Sequence, residues 1–438
     1  MGIAPAVRRV CCVGMALIVS VAIGCIDDDS PTTGAESETA QLSGDEATPW
    51  VDEVLVRIEE DSISPPVASR ILGYTGVVIH EATVDGMNDY GPLAERLHQL
   101  DAPPELDEDT SYDVATVMYS ALGHLIPALF DGDASTEHLV DFAEDLLQQR
   151  VDEIDRAVWL ESAQRGVDIA QTVGQRALSD GYHARTDANF DPPDVDGPWQ
   201  PVGDQQPLEP HWDTLQPFAM EASDDCQPAP PVEFSTEPGS EFYEQAMTPF
   251  QETPQPDSDE AHIAEFWADD PGVSPTPPGH WMAIATQMIE DEQLNLEEAA
   301  RLYAMLGVTL YDAFISCWDE KYRSYLVRPV TYINEHIDPD WQPHIDTPPF
   351  PEYTSGHASV SGAAAAVLTE KLGDLSFTDR THEHRGLGVR SFDNFEQAAE
   401  ESGMSRIYGG IHYPMANEEG LKQGQCVAET VLEAAGGR

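Results

Sequence analysis

Three short segments in the second half of the chain carry the residue types needed to hold an oxyanion and move a proton beside it. In KYRSYLVRP, Lys321 stands seven residues before Arg328, in a chain with only three lysines. Lysine supplies a compact point charge, and arginine a planar fork matched to paired oxygens. In TSGH, Thr354 to His357, a helix is expected to begin. Free N–H groups and the helix dipole favour an anion there; Gly356 admits it closely, Ser355 adds a hydroxyl and His357 a proton carrier. In SRIYGGIH, Arg406 and His412 add a second guanidinium and a second imidazole, and the glycines between them let the chain turn sharply. Singly, each residue has a structural explanation as a surface ion pair, a helix cap or a satisfied core group. Together they supply complementary parts of one site.

The elements that must position these residues read as helices. Asn295 and Glu298 form a capping-box pattern, and Leu302, Leu306, Leu310, Phe314 and Trp318 then recur every fourth residue as one apolar stripe. That spacing puts Lys321 one turn beyond Trp318, at the buried edge. SGHASVSGAAAAVLTEKLG predicts a helix with a small-residue face that stops at Gly373. Further helices are expected from Ser391 to about Met404 and from about Ala416 to Ala435. In the first half, Pro65 and Pro66 introduce a helix with Val67, Ile71, Tyr74, Val78 and Ala82 on one face. Helical spacing continues through YDVATVMYSALGHLIPALF and from Ser135 to about Ser179, and no segment shows strand alternation. The expected class is all-α with two helical bundles, 49–182 and a catalytic 259–438, joined by a Pro-rich crossover, 183–258. Two acidic or His-rich stretches, Asp191 to Gly197 and His382-Glu383-His384, read as solvated loops, with cation binding as the alternative.

The chain has 438 residues, 80 Asp and Glu against 21 Lys and Arg, and a formal net charge of −59. Such a surface repels nucleic acid and anionic lipid, which excludes those partners, and its self-repulsion predicts a salt-rich habitat. Arg8 and Arg9 followed by an apolar run to Ile23 read as an export signal over 1–24. The run ends Val-Ala-Ile-Gly-Cys25, which resembles a bacterial lipobox. The expectation is a lipid anchor at Cys25, a disordered tether over 25–48 and a place on the cell envelope. Cys226, Cys317 and Cys426 then remain, enough for at most one disulfide, and the sequence does not choose the pair.

Lys321-x6-Arg328-Pro329, Thr354-Ser355-Gly356-His357 and Ser405-Arg406-x5-His412, in that order, resemble the signature shared by vanadium-dependent haloperoxidases and type-2 phosphatidic acid phosphatases. PPVASRILGYTGVVIHEA in the first half is similar to the N-terminal bundle of bacterial haloperoxidase-type members. The resemblance implies vanadate as cofactor, with Lys321, Arg328 and Arg406 on its equatorial oxygens and hydrogen bonds from Ser355 and the Gly356 amide. It implies His412 as the axial ligand, His357 as the acid–base residue, and Lys321 polarising bound peroxide. Hydrogen peroxide, halide and a small organic acceptor are the implied partners, and Trp318 and Phe350 the lining of the halide pocket. The chain departs from the signature at Thr354, where proline is usual, and at Ala416, where aspartate is common, with Asn417 or Glu418 as substitutes. The alternatives are an acid phosphatase working through a phosphohistidine at His412, and a non-catalytic oxyanion-binding lipoprotein.

Overall fold

Proline and side-chain caps punctuate apolar three- and four-residue spacings into thirteen α-helices among the described residues. The computed structural model describes residues 39–87, 90–94, 96–106, 110–185 and 190–436. The expected signal, Cys25 and the first part of the tether lie outside them. The helices of the first half are α1 (Thr48–Glu60), α2 (Pro65–Thr83), α3 (Val114–Leu125), α4 (Asp133–Val151) and α5 (Arg156–Ser179). Within the crossover, α6 (Glu241–Gln251) is a helix that its proline-rich composition conceals. The second half holds α7 (Asp259–Phe266), α8 (Thr276–Asp291), α9 (Leu296–Ser324), α10 (Pro329–His336), α11 (Gly356–Leu372), α12 (Phe395–Tyr408) and α13 (Pro414–Ala434). Proline in the first turn opens α1, α2, α8, α10 and α13. Side chains of Asp113, Asp155, Ser240, Ser258, Asn295, Ser355 and Asn394 cap α3, α5, α6, α7, α9, α11 and α12.

The architecture is all-α, two helical bundles sharing one core, and α9 is its axis. Leu302, Leu306, Leu310, Phe314 and Trp318 are all buried, and the capping box of Asn295 and Glu298 is formed in both directions. α2 lies against α9 at backbone distance. A Cβ on Gly307 would stand 2.6 Å from the Leu72 carbonyl, and one on Gly76 would collide with that of Tyr303. α11 presents Ala363, Ala364 and Gly362 to its neighbours and packs between α13 and α9.

Three expectations need correction. Residues 39–47 are not tether: Thr39, Gly44 and Ala47 are buried, and Gly44 N and Leu42 O pair with Leu294 O and Leu296 N, each at 2.9 Å. A short antiparallel hairpin, β1 (Phe377–Asp379) with β2 (Arg390–Phe392), replaces the start of the helix expected from Ser391. Three-residue strands are too short to show alternation. The helical spacing from Ser135 breaks into α4 and α5 at residues 152–155, where Asp155 starts a new cap.

The crossover is tied to the axis by polar contacts. Buried Asp312 on α9 accepts the backbone N–H groups of Phe218 at 2.7 Å, Ala219 at 2.8 Å and Met220 at 3.2 Å. Trp318 and Tyr322 both donate to the Leu208 carbonyl. A disulfide joins Cys226 in the crossover to Cys426 on α13, leaving Cys317 as a buried free thiol. Among the described residues no helix is long and apolar enough to cross a membrane. The bridge closes a loop of 200 residues, so chain entropy gives it a stabilisation on the order of 3–5 kcal/mol. Cys226→Ser should lower the guanidinium midpoint correspondingly, and reductant should then have no further effect on the variant.

Candidate active site

The three cation- and histidine-bearing segments converge at the C-terminal end of α9. Lys321 sits in its last turn; Tyr325, in the left-handed region at φ 48°, then turns the chain so that Arg328 becomes the residue before α10. Ser355 is the N-cap of α11 and accepts the Ala358 N–H at 3.3 Å. Arg406 lies in the last turn of α12, and Gly410 at φ 78° swings the chain back so that His412 arrives just before α13. Lys321, Arg328 and Ser355 have no exposed surface, and Arg406 and His412 almost none.

Each cation has a definite set of partners. The Lys321 ammonium donates to the carbonyls of Pro351 at 3.1 Å, Glu352 at 3.0 Å and Thr354. It therefore spends its three protons on the backbone that leads into α11, while burial pushes its pKa down to about 7. Arg328 donates from Nε to Phe350 O at 2.9 Å and from Nη1 to Ile411 O at 2.8 Å and to His412 Nε2 at 3.1 Å. Its Nη2 is buried with no partner. Arg406 donates to the Ser405 hydroxyl at 2.8 Å and the Ala264 carbonyl at 3.1 Å. Burial pushes both guanidinium groups down to about 10, and Asp269 and Asp270 pull Arg406 the other way.

His412 is held in a defined tautomer. Arginine cannot accept a hydrogen bond, so His412 Nε2, facing Arg328, carries a lone pair. His412 Nδ1–H then donates to Glu352 Oε1 at 2.8 Å, and Tyr413 N–H donates to the same oxygen at 2.8 Å. Burial, with Arg328 and Lys321 beside it, holds the His412 pKa well below the ordinary range, so the ring is neutral. His357 lies beside the Trp267 backbone, which favours its protonated form, and its Nε2 is buried and unpartnered. Burial and Arg406 keep that ring neutral as well.

Glu352 is the functional residue that the sequence conceals. It supplies the carboxylate sought at position 416 or its neighbours, where Asn417 instead donates to Gly403 O and Glu418 points to solvent. Glu352 and His412 are 60 residues apart, and no spacing rule joins them. Burial pushes the Glu352 carboxyl up to about 7, against Arg328, the Tyr413 N–H and Lys321. Thr354 in place of proline removes no ligand; its hydroxyl donates to Gln423 at 2.6 Å and its carbonyl receives Lys321.

A cavity opens onto this cradle, lined by Trp318, Phe350, Gly356, His357, Arg406 and His412, together with Pro65, Pro348 and Pro349. Lys321, Arg328 and Ser355 form the layer behind that lining. Trp318 and Phe350 meet at 5.0 Å between centroids, and Arg328 lies 5.0 Å and Lys321 5.1 Å from the Phe350 ring. The orphaned Arg328 Nη2 and His357 Nε2, the Nε2 lone pair of His412 and the start of α11 fit a bound oxyanion such as vanadate. Asp191 to Gly197 is a largely solvated loop, as expected. His382 is not: it is fully buried against Asp269, and only Glu383 and His384 of that stretch are exposed.

Residues 301–436 match the family model of the VCPO second helical-bundle domain. The vanadium chloroperoxidase of Curvularia inaequalis is 25% identical over 210 residues, 34% of either chain, so the match spans about a third of that relative's length. A holo-type bacterial vanadium-dependent chloroperoxidase shares the fold at a TM-score of 0.62, with 14% identity over 85% of this chain and 93% of its own. The crystal structure of a bacterial vanadium-dependent iodoperoxidase superposes with a TM-score of 0.84, covering 93% of this chain and 98% of that one. At 36% identity to that structure, the chain belongs to the vanadium-dependent haloperoxidase family.

Proposed function

We propose that the protein oxidises halide with hydrogen peroxide at vanadate held on His412. The observation that carries this reading is the His412 ring: neutral, at the cavity lining, with Nδ1–H fixed on Glu352 and the Nε2 lone pair held only by Arg328 Nη1. Arg328 Nη2, Arg406 and the first turn of α11 would take the oxygens of the group, and Lys321 would hold the segment that shapes the site. Vanadate, when bound, supplies a Lewis-acid centre that makes peroxide electrophilic toward halide. The protein's own part is proton handling and exclusion of water. His357 Nε2, bare and beside the cavity, accepts a proton from entering peroxide and returns it to the departing oxygen. Trp318 and Phe350 keep the space above the cradle dry and offer a polarisable surface to a halide.

Iodide is the halide this reading puts first, because the 36%-identical relative is described as an iodoperoxidase. The rival, hydrolysis of phosphate esters through His412, keeps one argument: the Glu352–His412 pair is also what a nucleophilic histidine needs. The missing aspartate at Ala416 therefore does not weigh against it. The narrow aromatic and proline lining does. The Cys226–Cys426 disulfide supports an exported protein, since such bridges persist in oxidising compartments.

Vanadate-loaded protein should oxidise iodide, and more slowly bromide, only when peroxide is present. His412→Ala should lower that rate by a factor on the order of 10³ or more. Hydrolysis of a phosphate ester by the metal-free protein, inhibited by vanadate and lost in His412→Ala, would establish the rival instead; vanadate binding without either turnover would leave an anion-binding protein. Glu352→Gln should weaken vanadate binding about 10- to 100-fold in equilibrium dialysis, because a neutral amide oxygen is a weaker acceptor for Nδ1–H than the carboxylate and leaves Nε2 less basic.

A further inference from the structure

One wall of the cavity is formed by Ala268, Asp269 and Asp270, in the turn between α7 and α8. Two non-glycine residues lie in the left-handed region here, Asp269 in the turn at φ 50° and Thr276, the first residue of α8, at φ 64°. Such conformations cost on the order of 1 kcal/mol or more each and persist only where the surroundings over-determine them. Asp269 is so determined. Its Oδ2 accepts from His280 Nδ1 at 2.9 Å, and its Oδ1 accepts from His382 Nε2 at 3.0 Å and the Ser274 hydroxyl at 3.1 Å. The other nitrogen of His280 faces Asp379 Oδ2 at 2.8 Å.

A ring with a carboxylate oxygen at both nitrogens must carry both protons, so His280 is an imidazolium. Burial opposes the charge, but Asp269 and Asp379 overcome it and lift the His280 pKa to about 10. His382, by contrast, accepts from Arg385 at 3.3 Å through Nδ1 and stays neutral. Asp269, His280 and His382 have the types and spacing of metal ligands. Their hydrogen bonds already satisfy every ring nitrogen, and none of them is left with a buried unpartnered atom. The cluster needs no cation.

The Trp267 indole lies flat on His280, with centroids 4.5 Å apart and planes at 21°. The backbone of the same tryptophan lies beside the His357 ring and favours its protonated form. With His357 Nε2 unpartnered, Nδ1 is the ring nitrogen left to meet that backbone, where the acceptor on offer is a carbonyl.

We propose that His280 is a positioning residue for His357. Its imidazolium, clamped between Asp269 and Asp379 and stacked under Trp267, fixes the carbonyl that keeps the His357 proton on Nδ1 and so leaves Nε2 bare toward the cavity. The consequence for turnover rests on the proposed function; the clamp itself does not.

Histidine-ring 15N NMR of the full chain reads the clamp directly, with His280→Phe and His357→Gln assigning the signals. At neutral pH the His280 ring should be doubly protonated, and the His357 ring a single Nδ1–H tautomer that becomes a mixture in His280→Phe. In the vanadate-loaded variant, kcat/KM for peroxide should fall about tenfold or more while the vanadate dissociation constant stays within about twofold. An unchanged His357 tautomer in His280→Phe would reduce His280 to a structural role and overturn the proposal. So would a singly protonated His280, or one equivalent of divalent metal in the purified protein; both are read on the unsubstituted chain, should the variant fail to fold. A tautomer shift without any vanadate-supported oxidation would uphold the clamp and count against the proposed activity.

Discussion

Three cations, Lys321, Arg328 and Arg406, sit almost entirely out of water in a chain whose net charge is −59. Removing a cation from water costs several kcal/mol, and the surrounding structure must answer that cost. Lys321 is met by three carbonyls of the segment entering α11. Arg328 is met by two carbonyls and the lone pair of His412. Arg406 is met by two oxygen acceptors and by the charges of Asp269 and Asp270. What remains unanswered is Arg328 Nη2, the donor that the proposed anion would take. The long α9, its apolar stripe and the close approach of α2 serve to hold this arrangement in a dry interior.

The same constraint explains the carboxylates. Excess positive charge around His412 would leave its ring free to rotate or change tautomer without a fixed acceptor on Nδ1. Glu352 provides that acceptor, and Tyr413 N–H in turn fixes Glu352. On the His357 side, the proposed counterpart is the Trp267 carbonyl; the Asp269–His280–Asp379 cluster, stacked under Trp267, braces the turn that carries it. Two neutral imidazoles thus face one cavity, each with a single exposed role.

The elements that were legible are those fixed by local chemistry. The capping box at Asn295, the stripe ending at Trp318, the helix start within TSGH and the stop at Gly373 all stand where spacing put them. Arg323, whose position matches no part of the signature, pairs with Asp319 and Glu320 as a partly exposed side chain should. The residues that escaped notice act through distance in sequence. Glu352 reaches His412, and His280 reaches Asp379 and shares Asp269 with His382, across stretches that carry no periodic signal. Each is a polar residue inside an apolar or loop context, where composition reads as solvent exposure. The choice of Cys226 and Cys426 from three cysteines was equally a matter of tertiary placement.

The central claim is that the cradle is built around an oxyanion ligated by His412. Crystallographic refinement of the protein soaked with vanadate tests it most directly. The account predicts anion density joined to His412 Nε2, with Arg328 turned from that nitrogen onto the anion's oxygens and His357 Nε2 facing it across the cavity. Density elsewhere on the protein, or an Arg328–His412 contact unchanged at saturating vanadate, would contradict it.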